Sequence, residues 1–173
     1  ELYVRKSSSD VKRGKVSGVV SRVYGKKVVL HLPMETMRKK LLDYEALIIK
    51  QQNGSEKWKP QKRLKLKNND DLEIIDTYNT EIRGFTNYYS IANNSPALAN
   101  FKYIMQYSMY KTFAEKYKIS VRKVIAKYRY HKDIAVRYTN KNGDEKMRVF
   151  FNGSFKRKTE ISGDSVDNIP STI

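Results

Sequence analysis

The chain has 173 residues and carries 35 Lys and Arg against 18 Asp and Glu, a formal charge of +17. That length fits one domain with a modest core, and that charge points to a polyanion: nucleic acid before an anionic membrane, because the cations are spread over several segments instead of one terminal tract. With no cysteine, disulfides, thiolate metal sites and a cysteine nucleophile are excluded, and no apolar run is long enough to span a bilayer.

Residues 1–32 read as β. "LYV" is a short strand, and "VVSRVYG" and "KKVVLHL" predict a hairpin about Gly25 and Lys26. The polar stretch between, residues 6–18, reads as a mobile loop and contains Lys12 and Arg13. The chain starts at Glu1 in mid-strand pattern, so it reads as part of a longer one. Pro33 then suits the first turn of a helix over "METMRKKLLDYEAL". Residues 48–69 show no sustained period. Their Lys57, Lys59, Lys62, Arg63, Lys65 and Lys67 come with no acid among them, which reads as an extended basic connector.

Asp70, with Glu73 three residues on, resembles a capping box that opens a helix to about Ala92. At 100° per residue, Ile74, Ile75, Tyr78, Ile82, Phe85, Tyr89 and Ala92 share a broad core face, with Tyr88 at its edge. Asp76, Thr80, Arg83, Asn87 and Asn94 lie opposite, and Gly84 falls beside that polar stripe. Ser95 reads as an N-cap with Pro96 at the first helical position. The helix that follows, from Ala97, is apolar nearly all round and is expected at the centre of the bundle.

Ser120 caps a shorter helix, residues 121–130. Val121, Val124, Ile125 and Tyr128 make its apolar stripe, and Arg122, Lys123, Lys127 and Arg129 make a back with no acid in it. A solvated face normally mixes signs, so this one is assigned to phosphate contact. A last hairpin turns at Asn142–Gly143, and a polar tail follows from Gly153. The chain contains no internal repeat.

Catalytic constellations are missing from this pattern. His31 and His131 have no metal-ligand partner at helical spacing, Asp43 stands alone, and no glycine-rich phosphate loop is present. A DNA strand-transfer enzyme using a tyrosine nucleophile would show His-x-x-Arg. Here His131 is followed by Ile134 at that spacing, which breaks the signature.

Two motifs placed in sequence carry a resemblance. Arg83, Gly84, Asn87, Tyr88 and Tyr89 form R-G-x-x-N-Y-Y. Ser108, Thr112, Ala114 and Lys116 form S-x-x-x-T-x-A-x-K, with Ser120 and Lys123 next and Trp58, Pro60 and Arg63 upstream. Together they resemble domain X, the thumb, of group II intron maturases, the reverse transcriptases encoded within self-splicing introns. The resemblance spans about residues 1–150 and is densest over 57–130.

It implies a mainly α (α+β) fold: a three-helix thumb bundle with an N-terminal β-hairpin from the palm end and a C-terminal β-hairpin. It divides the chain into a palm end (1–32), a connecting helix and basic linker (33–68), domain X (69–152), and a tail at the start of a DNA-binding region (153–173). It implies binding of intron RNA to promote splicing and of an RNA template–DNA primer duplex. The family's Tyr-Ala-Asp-Asp is not in this chain, so no catalysis and no cofactor are expected of it, with Mg2+ belonging to the longer protein. A bacterial cytoplasm, or an organelle, is the expected location. The sequence does not give the oligomeric state.

The expected nucleic-acid contacts are Arg122, Lys123, Lys127 and Arg129, then Arg83 and Asn87, then Lys62, Arg63 and Lys65, with Lys111, Lys116, Lys12 and Arg13. A general structured-RNA or ribonucleoprotein docking module is the alternative to a maturase.

Overall fold

The computed structural model describes residues 2–6, 11–13, 20–22 and 26–158. The chain begins with strands β1 (Leu2–Lys6), β2 (Val11–Arg13), β3 (Val20–Arg22) and β4 (Lys26–Leu30). The predicted pairing about Gly25–Lys26 does not hold. β4 pairs antiparallel with β1, from Leu2 opposite Leu30 to Lys6 opposite Lys26, and β3 pairs with β2. The registers nest, the β2–β3 pair falling within the β1–β4 pair along the chain, and these strands are together called the N-terminal ribbon. Part of the stretch read as a mobile loop is therefore strand, and Lys12 and Arg13 sit on β2.

Helix α1 (Met34–Asp43) follows, with Pro33 at its N-cap. Its Met37 and Leu41 are fully buried in the common core, so α1 is part of the bundle and not a mere connector.

The basic connector is also not a connector. It is a hairpin of β5 (Leu47–Gln52) and β6 (Ser55–Pro60), paired from Leu47 opposite Pro60 to Gln52 opposite Ser55. Asn53 and Gly54 close it with φ of 52° and 70°. Two positive φ values in a two-residue loop match the right-handed twist of the strands, which is why Asn-Gly serves there. Apart from Leu47, the strands are exposed or half-buried, so they lack the alternation that marks a strand in sequence.

Helix α2 (Asp71–Tyr88) opens on the predicted capping box. The Asp70 carboxylate accepts from the Leu72 N–H, and Glu73 accepts from the Asp70 N–H, each at 3.4 Å. The helix ends at Tyr88, four residues before the expected Ala92. Asn93 and Asn94 beyond it pair with the backbone of the N-terminal ribbon. Asn94 accepts from the Leu32 N–H at 2.8 Å and donates to the Leu32 carbonyl at 2.9 Å, so it belongs to packing and not to an outward stripe.

Ser95 is not an N-cap. It lies in a single 3-10 turn before α3 (Leu98–Tyr117), where its hydroxyl donates to the Phe155 carbonyl at 3.0 Å. Phe101, Met105, Met109 and Phe113 of α3 are fully buried, and α1, α2, α4 and β6 all pack on it. The apolar girdle has one gap, Tyr103, which is 55% exposed.

Helix α4 (Val121–Tyr128) is capped by Ser120, whose hydroxyl accepts from the Lys123 N–H at 3.3 Å. Then come β7 (Arg129–Tyr130), β8 (Asp133–Thr139) and β9 (Glu145–Val149), ordered β7-β8-β9. The β8–β9 hairpin turns through Gly143 at φ 85°, as the sequence predicts. Asn79, buried on α2, anchors this sheet: it donates to the Val149 carbonyl at 2.9 Å and accepts from the Phe151 N–H at 2.7 Å. The result is a mainly helical α+β fold. Among the described residues, no helix is long and apolar enough to cross a membrane.

Candidate nucleic-acid interface

The cations named from sequence divide into two kinds once placed. One kind is consumed inside the protein. Arg63 lies at the end of the β5–β6 hairpin and forks onto Glu81 of α2, with its two terminal nitrogens 2.6 and 2.9 Å from the carboxylate oxygens. Its guanidinium also stacks 5.0 Å from the Tyr78 ring centroid. The Arg63 and Glu81 side chains are only 11% and 17% exposed.

Around this pair the S-x-x-x-T motif forms a polar core. The Tyr78 hydroxyl lies 2.8 Å from Ser108 Oγ and 3.1 Å from Thr112 Oγ1, and Thr112 Oγ1 accepts from the Arg63 N–H at 3.0 Å. Ser108 Oγ in turn donates to the Gln61 carbonyl. Every member has a partner, so the network fixes a hairpin to two helices with its buried polar groups satisfied. Burial pushes the Tyr78 phenol pKa up, which keeps it a neutral hydroxyl.

Lys111 and Lys116 are internal too. Lys111 Nζ donates to the Pro60 carbonyl at 2.7 Å. Lys116 Nζ donates to the Asn69 carbonyl at 2.7 Å and to Asp71 at 2.6 Å. Asp71 also accepts from the Tyr117 and Tyr128 hydroxyls, so one carboxylate joins the start of α2 to the ends of α3 and α4. Burial pushes the Asp71 pKa up, but the hydrogen bonds from Lys116, Tyr117 and Tyr128 outweigh it and hold the group below the ordinary carboxylate range. Nothing in the sequence singles out Asp71, because none of its three partners is near it in the chain.

Arg63, Lys111 and Lys116 thus each have hydrogen-bond partners within the protein. Lys62 and Lys65 are intermediate. Lys62 pairs with Glu115 at 2.8 Å, and Lys65 pairs with Glu45. Hydrogen bonds from Lys118 and Lys62 hold Glu115 down to about 2.

The other kind faces outward. On α4, Val124 and Tyr128 are buried, Val121 and Ile125 half-buried, and Arg122, Lys123 and Lys127 exposed. Arg122 and Lys123 form no ion pair among the described residues. Lys127 Nζ sits 3.8 Å from the Tyr117 ring centroid, a cation–π contact that orients the charge without neutralising it. Lys127 and Arg129 line a cleft of about 250 Å3 between α4 and β8, with Arg137 on its far wall. Arg137 was not named from sequence; the signal was its place on the exposed side of β8, after the buried run Ile134–Val136.

Arg83 and Asn87 are exposed on α2, as predicted, and both line a second cleft, closed by residues 151–158. Gly84 lines a third, a groove of about 480 Å3 between α1 and α2 with Lys40, Tyr44, Tyr88 and Tyr89. A Cβ built at Gly84 meets nothing within 4 Å, so no packing among the described residues calls for glycine. Tyr88 is 76% exposed, its ring edge-on to Tyr89 at 4.7 Å. Tyr89 is half-buried against the core. Lys12 and Arg13 have backbone positions on β2, and their side chains lie outside the described residues.

Comparison with known proteins gives one consistent result. The type II intron maturase family matches residues 25–164. The group II intron-encoded protein LtrA of Lactococcus lactis subsp. cremoris is 34% identical over 129 residues, which is 75% of this chain and 21% of that protein. Maturase K of the alga Chara globularis is 30% identical over 83 residues, 47% of this chain and 16% of that protein, and Maturase K of Chara vulgaris matches equally. The chain therefore spans about a fifth of the length of these relatives.

Proposed function

The chain belongs to the type II intron maturase family, and from that premise we propose that it is an RNA-binding thumb and maturase domain that grips intron RNA and so favours its splicing-competent fold. The observation that carries the reading is the outward face of α4: Arg122, Lys123 and Lys127 are exposed, and Lys127 lines with Arg129 and Arg137 a cleft whose one acid, Asp71, is already bonded to Lys116, Tyr117 and Tyr128. Lys and Arg that neutralise phosphates gain affinity by releasing counterions, and helical RNA is recognised chiefly through shape and backbone. This chain contributes binding and no chemistry of its own.

The same reading extends to a template–primer duplex. The open groove at Gly84 supports it, since a glycine with space above it admits a second backbone where any side chain would project. The helix tolerates that glycine at a cost of about 1 kcal/mol.

Competition tests the reading. Labelled intron RNA bound to the protein is challenged with unlabelled intron RNA and with an unrelated structured RNA of equal length. Preference for the intron supports a maturase; equal displacement by both would assign the chain to general structured-RNA docking instead.

A further inference from the structure

The second cleft, of about 370 Å3, lies apart from the α4 face and is built differently. One wall is the outer turn of α2, with Arg83, Thr86 and Asn87. The other is the strap after β9, with Phe155, Lys156 and Lys158. Among the described residues no acidic side chain lines it, so three cations share a small concavity suited to an anion. Arg83 has no ion pair among the described residues: Glu81, two positions back on the helix, points to another face and pairs with Arg63.

The cleft is also aromatic. Phe151 and Phe155 both line it, half-buried, with ring centroids 6.0 Å apart. Gly153 between them lets the Phe151 ring fold back onto the backbone: a Cβ there would stand 2.6 Å from the ring. Beneath, Thr86 has only 6% of its surface exposed, and its hydroxyl is the one buried side-chain polar atom among the described residues with no hydrogen-bond partner. Thr77 on the same helix donates to the carbonyl four residues back, so the helix itself does not forbid that solution. A buried, unspent hydroxyl is costly and is retained where something else completes it. The strap is held over it by three hydrogen bonds, Lys158 N–H to the Ser90 carbonyl, Ser95 Oγ to the Phe155 carbonyl and Arg157 Nε to the Ile91 carbonyl.

The geometry points to a binding cleft for one unpaired nucleotide of RNA. The phosphate is held by Arg83, Lys156 and Lys158, and the base lies on the Phe155 ring. Thr86 and Asn87 supply hydrogen bonds as the strap lifts. Cations tracking a backbone beside an aromatic platform are how unpaired nucleotides are held. The inference rests on the chain being an RNA binder and adds a single-stranded site to a duplex-facing surface.

A uridine pentanucleotide, whose bases are unpaired, tests the cleft without structured RNA. Titrated into the protein and followed by amide NMR, it should shift resonances of residues 83–90 and 151–158 saturably. Thr86→Val should weaken binding about two- to tenfold, one hydrogen bond's worth, and Arg83→Ala about tenfold. The melting temperature of Thr86→Val should hold or rise, since valine removes an unpaired hydroxyl at constant shape. A purely structural Thr86 would instead lose stability and leave affinity unchanged, and that result overturns the proposal. So does equal affinity for tripolyphosphate, which has the charge but no base, or absence of binding by the pentanucleotide. Any of these would leave the α4 reading standing, because that is judged on structured intron RNA.

Discussion

Two carboxylates decide how this small domain is held together, and neither announces itself in the sequence. Glu81 takes Arg63 in a two-bond fork below the surface. Arg63→Lys keeps the charge but cannot reproduce the fork or the stacking on Tyr78. It should cost about 2–3 kcal/mol in urea denaturation, near the lower end for damaging a buried pair. Asp71 is the second. Its folded pKa lies below the unfolded value of about 3.9. The stability it supplies is therefore present above pH ~4 and is lost as the pH falls through the folded pKa. Asp71→Asn should lower stability at pH 7 by about 2 kcal/mol, from the lost charged bonds to Lys116, Tyr117 and Tyr128. It should also flatten the acid limb of the stability–pH curve, as measured by thermal melts between pH 3 and 7. An acid limb as steep as that of the unaltered protein would remove Asp71 as its source.

At the scale of elements, what could be read depended on whether a segment's partner was its neighbour. The α4 stripe, the α2 capping box, the Ser120 cap and the Asn142–Gly143 turn rest on residues a few positions apart, and all four stand in the structure. The β5–β6 hairpin was missed because its strands are largely exposed, so charge masked the period, although Asn53–Gly54 was a sufficient signal on its own. The N-terminal ribbon was misregistered because β1 meets β4 across more than twenty residues.

The site residues divide the same way. The open cations of α4 were legible as an acid-free helix face. The consumed ones, Arg63 and Lys116, were not, because Glu81 and Asp71 reach them only through folding. Ser120 separates support from contact. Ser120→Ala should cost about 1 kcal/mol by uncapping α4. Ser120→Asp should restore the cap, and with it the melting temperature, yet weaken intron RNA binding by placing a negative charge beside Arg122 and Lys123. Equal RNA affinity in Ser120→Asp and the parent would place the RNA elsewhere.

For the molecule as a whole, +17 is a gross figure that overstates the free surface charge. Several of the cations that produce it are spent on carboxylates and carbonyls of the protein, while α4 with β8 and the α2 cleft each hold a group that is not. The family's motif residues follow the same division: those of S-x-x-x-T build the frame, while Arg83, Gly84 and Asn87 of the R-G motif stand in the open. The central claim is that the α4 face carries phosphate contact, and salt dependence measures that directly. Affinity for intron RNA is determined across a range of salt concentrations for the parent and for the combined Arg122→Ala, Lys123→Ala and Lys127→Ala variant. Each lost contact removes about 0.7–0.9 from the log–log slope, so the variant should bind more weakly with a slope shallower by about 2–3. An unchanged slope in a variant that keeps its far-ultraviolet circular dichroism would contradict the account.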